Sequence, residues 1–440
     1  MHSAVGASDT IGLKRRHVAA ATLGNALEFY DFLIYSYFSI QIGHAFFPTH
    51  NAYVSLMLSL AMFGAGFLTR PIGALVLGGY SDRVGRRPAM ILSFALIGSS
   101  IVGMALIPSY RTIGLAAPIL AIIARMIQGF SLGGEVGSNT AFLLEAAPVR
   151  KRALMVSWQG ASQSIALTAG ALVGLALTRI LPPATLDAYG WRIAFLLGAV
   201  TLPFGLWLRT SLPETLHAAE THAPAAEATR GRAVRKHWRI IVLGLVVLAC
   251  GTIASYIFVY ITTYAQNTLH MRVGDTFAVG VVGNILSVLS VLGGGWLSDK
   301  IGRRPVCIWS NLAFLLLIYP VFSWISLTRS QAALIGGMAV LNVVGGISSG
   351  PFYTALCESL PKQIRGGGFA TVYSISIAVF GGTTQLVVTW LLHITGNPLA
   401  PAWYLIGATV ICQVAYMLMP ESAPARRALA PPPGAALAPG

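Results

Sequence analysis

Charge is what this sequence has least of. Only 10% of its 440 residues are Asp, Glu, Lys or Arg, against about 25% in a water-soluble domain, and that shortage excludes an ordinary soluble globule. Acids are the scarcer sign, 14 against 29 Lys and Arg, which leaves a net charge of +15. Cysteine is nearly absent too: Cys250, Cys307, Cys357 and Cys412 all fall in or beside apolar runs, where they read as small packing residues rather than a disulfide framework or metal site. Nine histidines show no paired spacing of the His-Glu-x-x-His kind, so a metal-dependent or nucleophilic enzyme has no constellation to work with.

What the chain has instead is apolar length. Hydrophobic residues make up 55% and the mean hydropathy is +0.71. The apolar positions gather into twelve runs, approximately residues 18–43, 52–80, 89–107, 114–146, 153–181, 191–208, 240–266, 275–297, 306–327, 331–359, 367–394 and 402–419. About 20 residues at ~1.5 Å each cross a bilayer, so the expectation is an all-α membrane protein of twelve transmembrane helices. The first run, preceded by Lys14-Arg15-Arg16, carries Asn25, Glu28 and Asp31 and is too long and too polar for a cleaved secretory signal.

Basic residues divide unevenly over these spans: 22 of 29 lie on one side, five on the other, and Arg70 and Arg125 fall inside. The positive-inside rule then makes both termini and the middle linker cytoplasmic, and orientation rather than nucleic-acid binding accounts for the surplus charge. The expected organisation is a cytoplasmic N-terminus (1–17), a six-helix bundle (18–209), a polar linker (210–238), a second six-helix bundle (239–420) and a disordered tail (421–440). Self-comparison supports the two bundles. Ser81-Asp82-Arg83-Val84-Gly85-Arg86-Arg87-Pro88 returns as Ser298-Asp299-Lys300-Ile301-Gly302-Arg303-Arg304-Pro305, and Glu145-Ala146-Ala147-Pro148 with Arg152 returns as Glu358-Ser359-Leu360-Pro361 with Arg365. Two six-helix halves in parallel are a transporter's repeat pattern.

These loops resemble those of the major facilitator superfamily. Gly24-Asn25-Ala26-Leu27-Glu28-Phe29-Tyr30-Asp31-Phe32, Phe67-Leu68-Thr69-Arg70-Pro71-Ile72-Gly73, Arg125-Met126-Ile127-Gln128-Gly129 and Gly190-Trp191-Arg192 are similar to its metabolite:proton symporter branch. That branch carries citrate, tricarballylate, oxoglutarate, shikimate and proline or betaine. Thr112 to Pro118 and Trp158-Gln159-Gly160-Ala161-Ser162-Gln163 are most similar to the citrate and tricarballylate carriers. The resemblance implies a cytoplasmic gate made of Asp82, Arg86, Glu145 and Arg152 in the first half and Asp299, Arg303, Glu358 and Arg365 in the second. Read as residues alone, the same loops also suit plain basic turns that satisfy helix ends.

Charges in hydrocarbon cost several kcal/mol each unless paired or hydrated. Glu28, Arg70 and Arg125 lie ~16–18 Å along their helices at ~1.5 Å per residue, near half depth. At about 100° per residue Asn25, Glu28, Phe32 and Tyr35 form one stripe with Asp31 at its edge, while Gln128 and Glu135 share a face that Arg125 adjoins. A planar guanidinium grips a carboxylate with two parallel hydrogen bonds, so Arg125 is the first candidate for anchoring an anionic substrate, with Arg70, Gln128, Asn25, Gln159, Tyr260 and Asn342 as further contacts. Glu28, Asp31 and Glu135 are candidates for carrying the coupled proton. Each also admits a packing reading: the acids as static salt-bridge partners, Arg70 as a donor to carbonyls freed near Pro71, and the tyrosine row as core.

The expected function is proton-coupled uptake of a small organic acid anion, citrate or a related tricarboxylate, across a bacterial inner membrane. The chain would work as a monomer with no cofactor and no nucleic-acid partner. An osmolyte such as betaine is the runner-up, although the long C-terminal coiled coil typical of that carrier is missing here. A dicarboxylate, shikimate-like or aromatic acid also satisfies two arginines. A drug antiporter is disfavoured because residues 153–180 contain no proline, and a nutrient sensor would add a longer cytoplasmic segment.

Overall fold

With no water in the bilayer core, a spanning backbone satisfies its amides internally, and helices do so within one segment. The computed structural model describes residues 15–84, 86–133, 140, 143–144, 147–210 and 235–423. Among these the chain is helical throughout, with no strand. The helices are α1 (Arg15–Tyr37), α2 (Ser39–Phe46), α3 (Ala52–Leu68), α4 (Arg70–Val84), α5 (Arg86–Leu106), α6 (Tyr110–Ile113), α7 (Ala116–Leu132), α8 (Arg152–Ile180), α9 (Pro183–Thr185) and α10 (Trp191–Thr210). They continue as α11 (Trp238–Asn267), α12 (Val273–Ile301), α13 (Arg303–Thr328), α14 (Gln331–Gly346), α15 (Ser349–Ser359), α16 (Lys362–Ser376), α17 (Gly382–Thr395) and α18 (Ala400–Leu418).

These pieces form twelve rods, four of them interrupted. The first rod breaks at Phe38 between α1 and α2, and the second at Thr69, just before Pro71. Proline removes an amide donor and clashes with the preceding turn, and Thr69 ties the break to α7: its Oγ1 donates to the Met126 carbonyl at 2.7 Å. The tenth rod breaks between α14 and α15 ahead of Pro351, and the eleventh carries a π turn at Ile377–Gly381. Interruptions at depth are tolerated where they face protein or a cavity. The sequence runs make each of these rods one span and point to a local distortion only near Pro71.

Polarity runs from the inside outward. Large apolar side chains such as Leu75, Leu115, Leu172, Leu289, Leu316 and Val410 are exposed on the outside, whereas Asn25, Arg70, Arg125, Gln128, Gln159 and Gln385 are buried. That is the distribution a lipid solvent selects.

Glycines set how closely the rods approach. A Cβ at Gly129 of α7 would overlap the Gly66 carbonyl oxygen of α3, one at Gly73 the Phe130 carbonyl, and one at Gly133 the Arg70 carbonyl. Backbone packed on backbone in this way replaces the missing hydrophobic drive between helices in lipid. It also brings the Arg70 and Arg125 helices together, which fixes the site described below. The halves meet mainly along α8 and α12, and along α3 and α17.

Two outcomes follow. Gly129→Ala must push α3 from α7 and is expected to cost about 1–3 kcal/mol as overpacking does, seen as a lower melting temperature in detergent. Gly103→Ala, with open space around its Cβ, should stay within about 1 kcal/mol of wild type. Separately, His44 Nδ1 lies 2.9 Å from Asp187 Oδ1 in a half-exposed pair, and this hydrogen bond raises the His44 pKa above 6.5. The pair's contribution is therefore complete below pH 6.5 and is lost as pH climbs through the raised value. The difference in melting temperature between wild type and Asp187→Asn should be larger at about pH 5.5 than at about pH 8.

Candidate functional site

A cavity of about 220 Å³ lies between the halves. From the first half it takes Phe29, Leu33 and Tyr37 on α1 with Gln163, Ser164 and Leu167 on α8; α11, α12, α14, α15, α16 and α18 supply most of the remaining wall. Positions 29, 33 and 37 repeat at four residues, one face of a helix. The chamber's polar groups are amides, phenols, hydroxyls and thiols, among them Asn284, Asn311, Asn342, Tyr353, Tyr373 and Cys250. Among the described residues no charged side chain lines it.

Contacts between the halves lie on both sides of this chamber. On one side Asn284 Nδ2 donates to the Tyr37 hydroxyl at 3.1 Å, the Ser39 and Thr263 hydroxyls are 3.0 Å apart, and Tyr53 stacks on His393 with ring centroids 3.8 Å apart. At the other end Asp299, closing α12, accepts from the backbone amides of Ala153 and Leu154, both at 3.0 Å. These are first-turn amides of α8, so a carboxylate of one half caps a helix of the other, satisfying orphan donors and the helix dipole together.

Asp299 also pairs with Arg303 at 2.7 Å, Arg303 reaches Glu358 at 3.4 Å, and Arg152 of the first half reaches Glu358 at 3.9 Å. Arg365 donates to the carbonyls of Cys357 and Leu360, at the end of α15. The network extends to residues expected in a disordered tail: Glu421 accepts from the amides of Arg303 and Arg304 at 3.0 and 3.1 Å, and Ser422 donates to Glu358 at 2.8 Å. The signal for this was in the sequence, since Pro420-Glu421-Ser422 echoes Pro213-Glu214-Thr215 after the sixth span. Glu135 and Glu145 lie outside the described residues, as do the side chains of Glu28, Asp31, Asp82 and Arg86.

The two membrane arginines lie outside the chamber wall. Arg125 on α7 is fully buried, its guanidinium carbon 4.4 Å from the Phe32 centroid, 4.6 Å from Tyr35 and 5.1 Å from Phe63. Arg70, at the start of α4, is 2% exposed and sits 4.4 Å from the same Phe32 ring and 4.9 Å from Phe67. Arg125 Nη1 donates to Gln128 Oε1. Among the described residues the Nε and Nη2 atoms of both arginines, and Gln128 Nε2, have no hydrogen-bond partner. Tyr256 joins this cluster to the chamber: its ring lies 5.3 Å from Phe67 and 6.0 Å from Phe63 and also forms part of the chamber wall.

Of the other predicted contacts, Asn342 is in the wall, its Nδ2 donating to the Met338 carbonyl at 2.8 Å. Asn25 and Gln159 face one another behind the wall, where Gln159 Nε2 donates to Asn25 Oδ1 at 3.0 Å and Asn25 Nδ2 to Ser162 at 2.6 Å, joining α1 to α8. The Tyr260 hydroxyl accepts from Thr389 at 2.8 Å, joining α11 to α17. Sequence reasoning passed over Tyr37, Gln163 and Asn311. The four-residue repeat of Phe29, Leu33 and Tyr37 is the signal that would have found the first.

Cys250 and Cys412 line the chamber while Cys307 and Cys357 do not. A small methanethiosulfonate reagent should therefore modify Cys250 or Cys412 as the chamber opens, and a bound substrate should slow that modification. Peptide mass mapping reads both, with Cys250→Ser/Cys412→Ser as the blank.

The major facilitator superfamily model matches residues 21–381. A citrate-proton symporter of Klebsiella pneumoniae is 35% identical over 89% of this chain and 89% of its own length. An alpha-ketoglutarate permease of Escherichia coli is 33% identical over 91% and 92%, and a proline/betaine transporter of the same organism 31% over 94% and 84%. Among solved structures, a D-xylose-proton symporter superposes with a TM-score of 0.75 at 20% identity, covering 92% of this chain and 98% of that one, a likeness of fold. The twelve rods, the repeated loops and these relatives together make this chain a membrane transporter belonging to the major facilitator superfamily.

Proposed function

We propose that the protein carries out proton-coupled uptake of a small organic acid anion, citrate or a related tricarboxylate, by alternating access across a bacterial inner membrane, with both termini and the linker on the cytoplasmic side. One observation carries this reading: two buried guanidiniums, one aromatic layer from the chamber, keep Nε and Nη2 donors without partners among the described residues. A buried charged donor left unmatched costs several kcal/mol, and a carboxylate arriving with parallel oxygens removes that cost. The symporter for citrate and the permease for alpha-ketoglutarate, at 35% and 33% identity, support an acid as cargo. Size agrees: a cavity of about 150 Å³ accepts benzene, and this chamber of about 220 Å³ suits a molecule of roughly a dozen heavy atoms.

Under this reading Arg125 anchors the anion, with Arg70 and Gln128 beside it and Asn342 meeting the cargo from the second half. Protonation of Glu28, Asp31 or Glu135 releases the arginines and ties proton entry to anion entry. The Asp299, Arg303, Glu358 and Arg152 network closes the cytoplasmic end between cycles, with Asp82, Arg86 and Glu145 as its counterpart in the first half and Arg365 fixing the end of α15. Asn25, Gln159 and Tyr260 act behind the wall, holding the helices that shape it.

A second reading has its own observation. Among the described residues the chamber wall is uncharged and presents the rings of Phe29, Tyr256, Tyr353 and Tyr373, faces that attract a quaternary ammonium, and a proline/betaine transporter is among the relatives.

Liposomes with an imposed inward proton gradient and labelled citrate or betaine separate the two. Gradient-driven citrate uptake is expected, and betaine uptake alone would favour the second reading. Arg125→Ala is expected to weaken citrate binding about 100-fold or more, as truncating one side of a buried charge pair does, and Arg125→Lys to weaken it less but severely. Unchanged binding in a correctly inserted Arg125→Ala carrier would remove Arg125 as the anchor.

A further inference from the structure

The carboxylate reading leaves open how many carboxylates the cargo needs. The guanidinium carbons of Arg70 and Arg125 both lie 4.4 Å from the centroid of Phe32, so they cannot be further apart than twice that distance. Phe32 is fully buried, wedged against Phe67 at 4.8 Å and Phe63 at 5.4 Å. It is the one ring that both cations share. Arg125 has Tyr35 and Phe63 besides, and Arg70 has Phe67. A π face attracts a cation but gives it no oxygen acceptor, so the Nε and Nη2 atoms stay unmatched among the described residues.

Resting on the carboxylate reading above, we propose that Phe32 is the specificity-determining residue: its ring, 4.4 Å from both guanidinium carbons, competes with substrate carboxylates for the two cations and selects molecules with two or more carboxylates over monocarboxylates. Either kind of acid has to displace the same ring. A dicarboxylate or tricarboxylate then reaches both arginines for that one displacement, while a monocarboxylate reaches only one. Two like charges held this close also repel, and only a polyvalent anion neutralises both. Leu33 and Phe29 on the adjoining face of α1 already border the chamber, so the ring stands where α1 separates the chamber from the arginines.

Equilibrium binding of citrate, succinate and acetate to the purified full-length carrier in detergent tests this. Arg70→Gln should weaken citrate and succinate about tenfold more than acetate. Phe32→Leu removes the competing face and should tighten citrate and succinate about tenfold, with a smaller gain for acetate. Where Phe32→Leu does not fold, 3,4,5-trifluorophenylalanine at position 32 keeps the shape, weakens the face and should shift the ratios the same way. A wild-type carrier that binds citrate, with citrate-to-acetate ratios unmoved by the folded Phe32 variants, overturns the role of Phe32 and leaves the carboxylate reading standing. A wild-type carrier that binds none of the three acids overturns both.

Discussion

The structure turns on the problem of holding two positive charges inside hydrocarbon. A guanidinium at half depth is tolerated only when something replaces water around it, and among the described residues that replacement is aromatic rather than acidic. Phe32, Tyr35, Phe63 and Phe67 surround Arg70 and Arg125. Glycine at 66, 73, 129 and 133 lets the helices bearing these groups press backbone against backbone, so the cluster is held by the close packing of the second and fourth rods. Among the described residues the adjoining chamber is lined by apolar side chains with amides, phenols, hydroxyls and thiols, and carries no charge.

The contacts between halves are built for breaking. Among the described residues the end with the basic loops relies on a carboxylate capping a helix from the opposite half, together with the pair of Arg152, 30% exposed, with Glu358 at 3.9 Å. The other end relies on two hydroxyls, an amide to a phenol, and a ring stacked on an imidazole. Contacts of these kinds are worth about 1–3 kcal/mol each. A chamber bounded by two modest seals is what a carrier that exposes one site alternately to two sides needs.

How far the sequence foretold this depended on the kind of signal. Twelve apolar runs and a loop repeated as Ser81 to Pro88 and Ser298 to Pro305 were enough for the fold class and the family, because lipid leaves helices few alternatives. Burial was also readable: Arg70 and Arg125 stand out as charges in apolar surroundings and are buried. The facing of α1 was harder. Periodicity marked Asn25, Glu28, Phe32 and Tyr35 as one stripe, and Phe32 and Tyr35 do share neighbours, but those neighbours are Arg125 and Phe63; the chamber takes the face of Phe29, Leu33 and Tyr37. A helix with protein on two sides carries two meaningful stripes, and polarity alone does not say which meets the cavity. Gln163 and Asn311 were passed over for a similar reason, since a single amide in an apolar helix suits packing as well as ligand contact until its neighbours are known.

Glu421 makes the few residues beyond the last span part of the machine. Its carboxylate caps the opening turn of α13, and its neighbour Ser422 touches the same Glu358 that Arg303 and Arg152 hold. A fluorescent fusion or affinity tag spliced directly onto Met419 would strip that cap and loosen the charged cluster beneath it. Attached after Ala423, the same label leaves the cap in place, so the point of fusion decides whether an assay reports on the intact carrier or on one with its ninth rod unpinned.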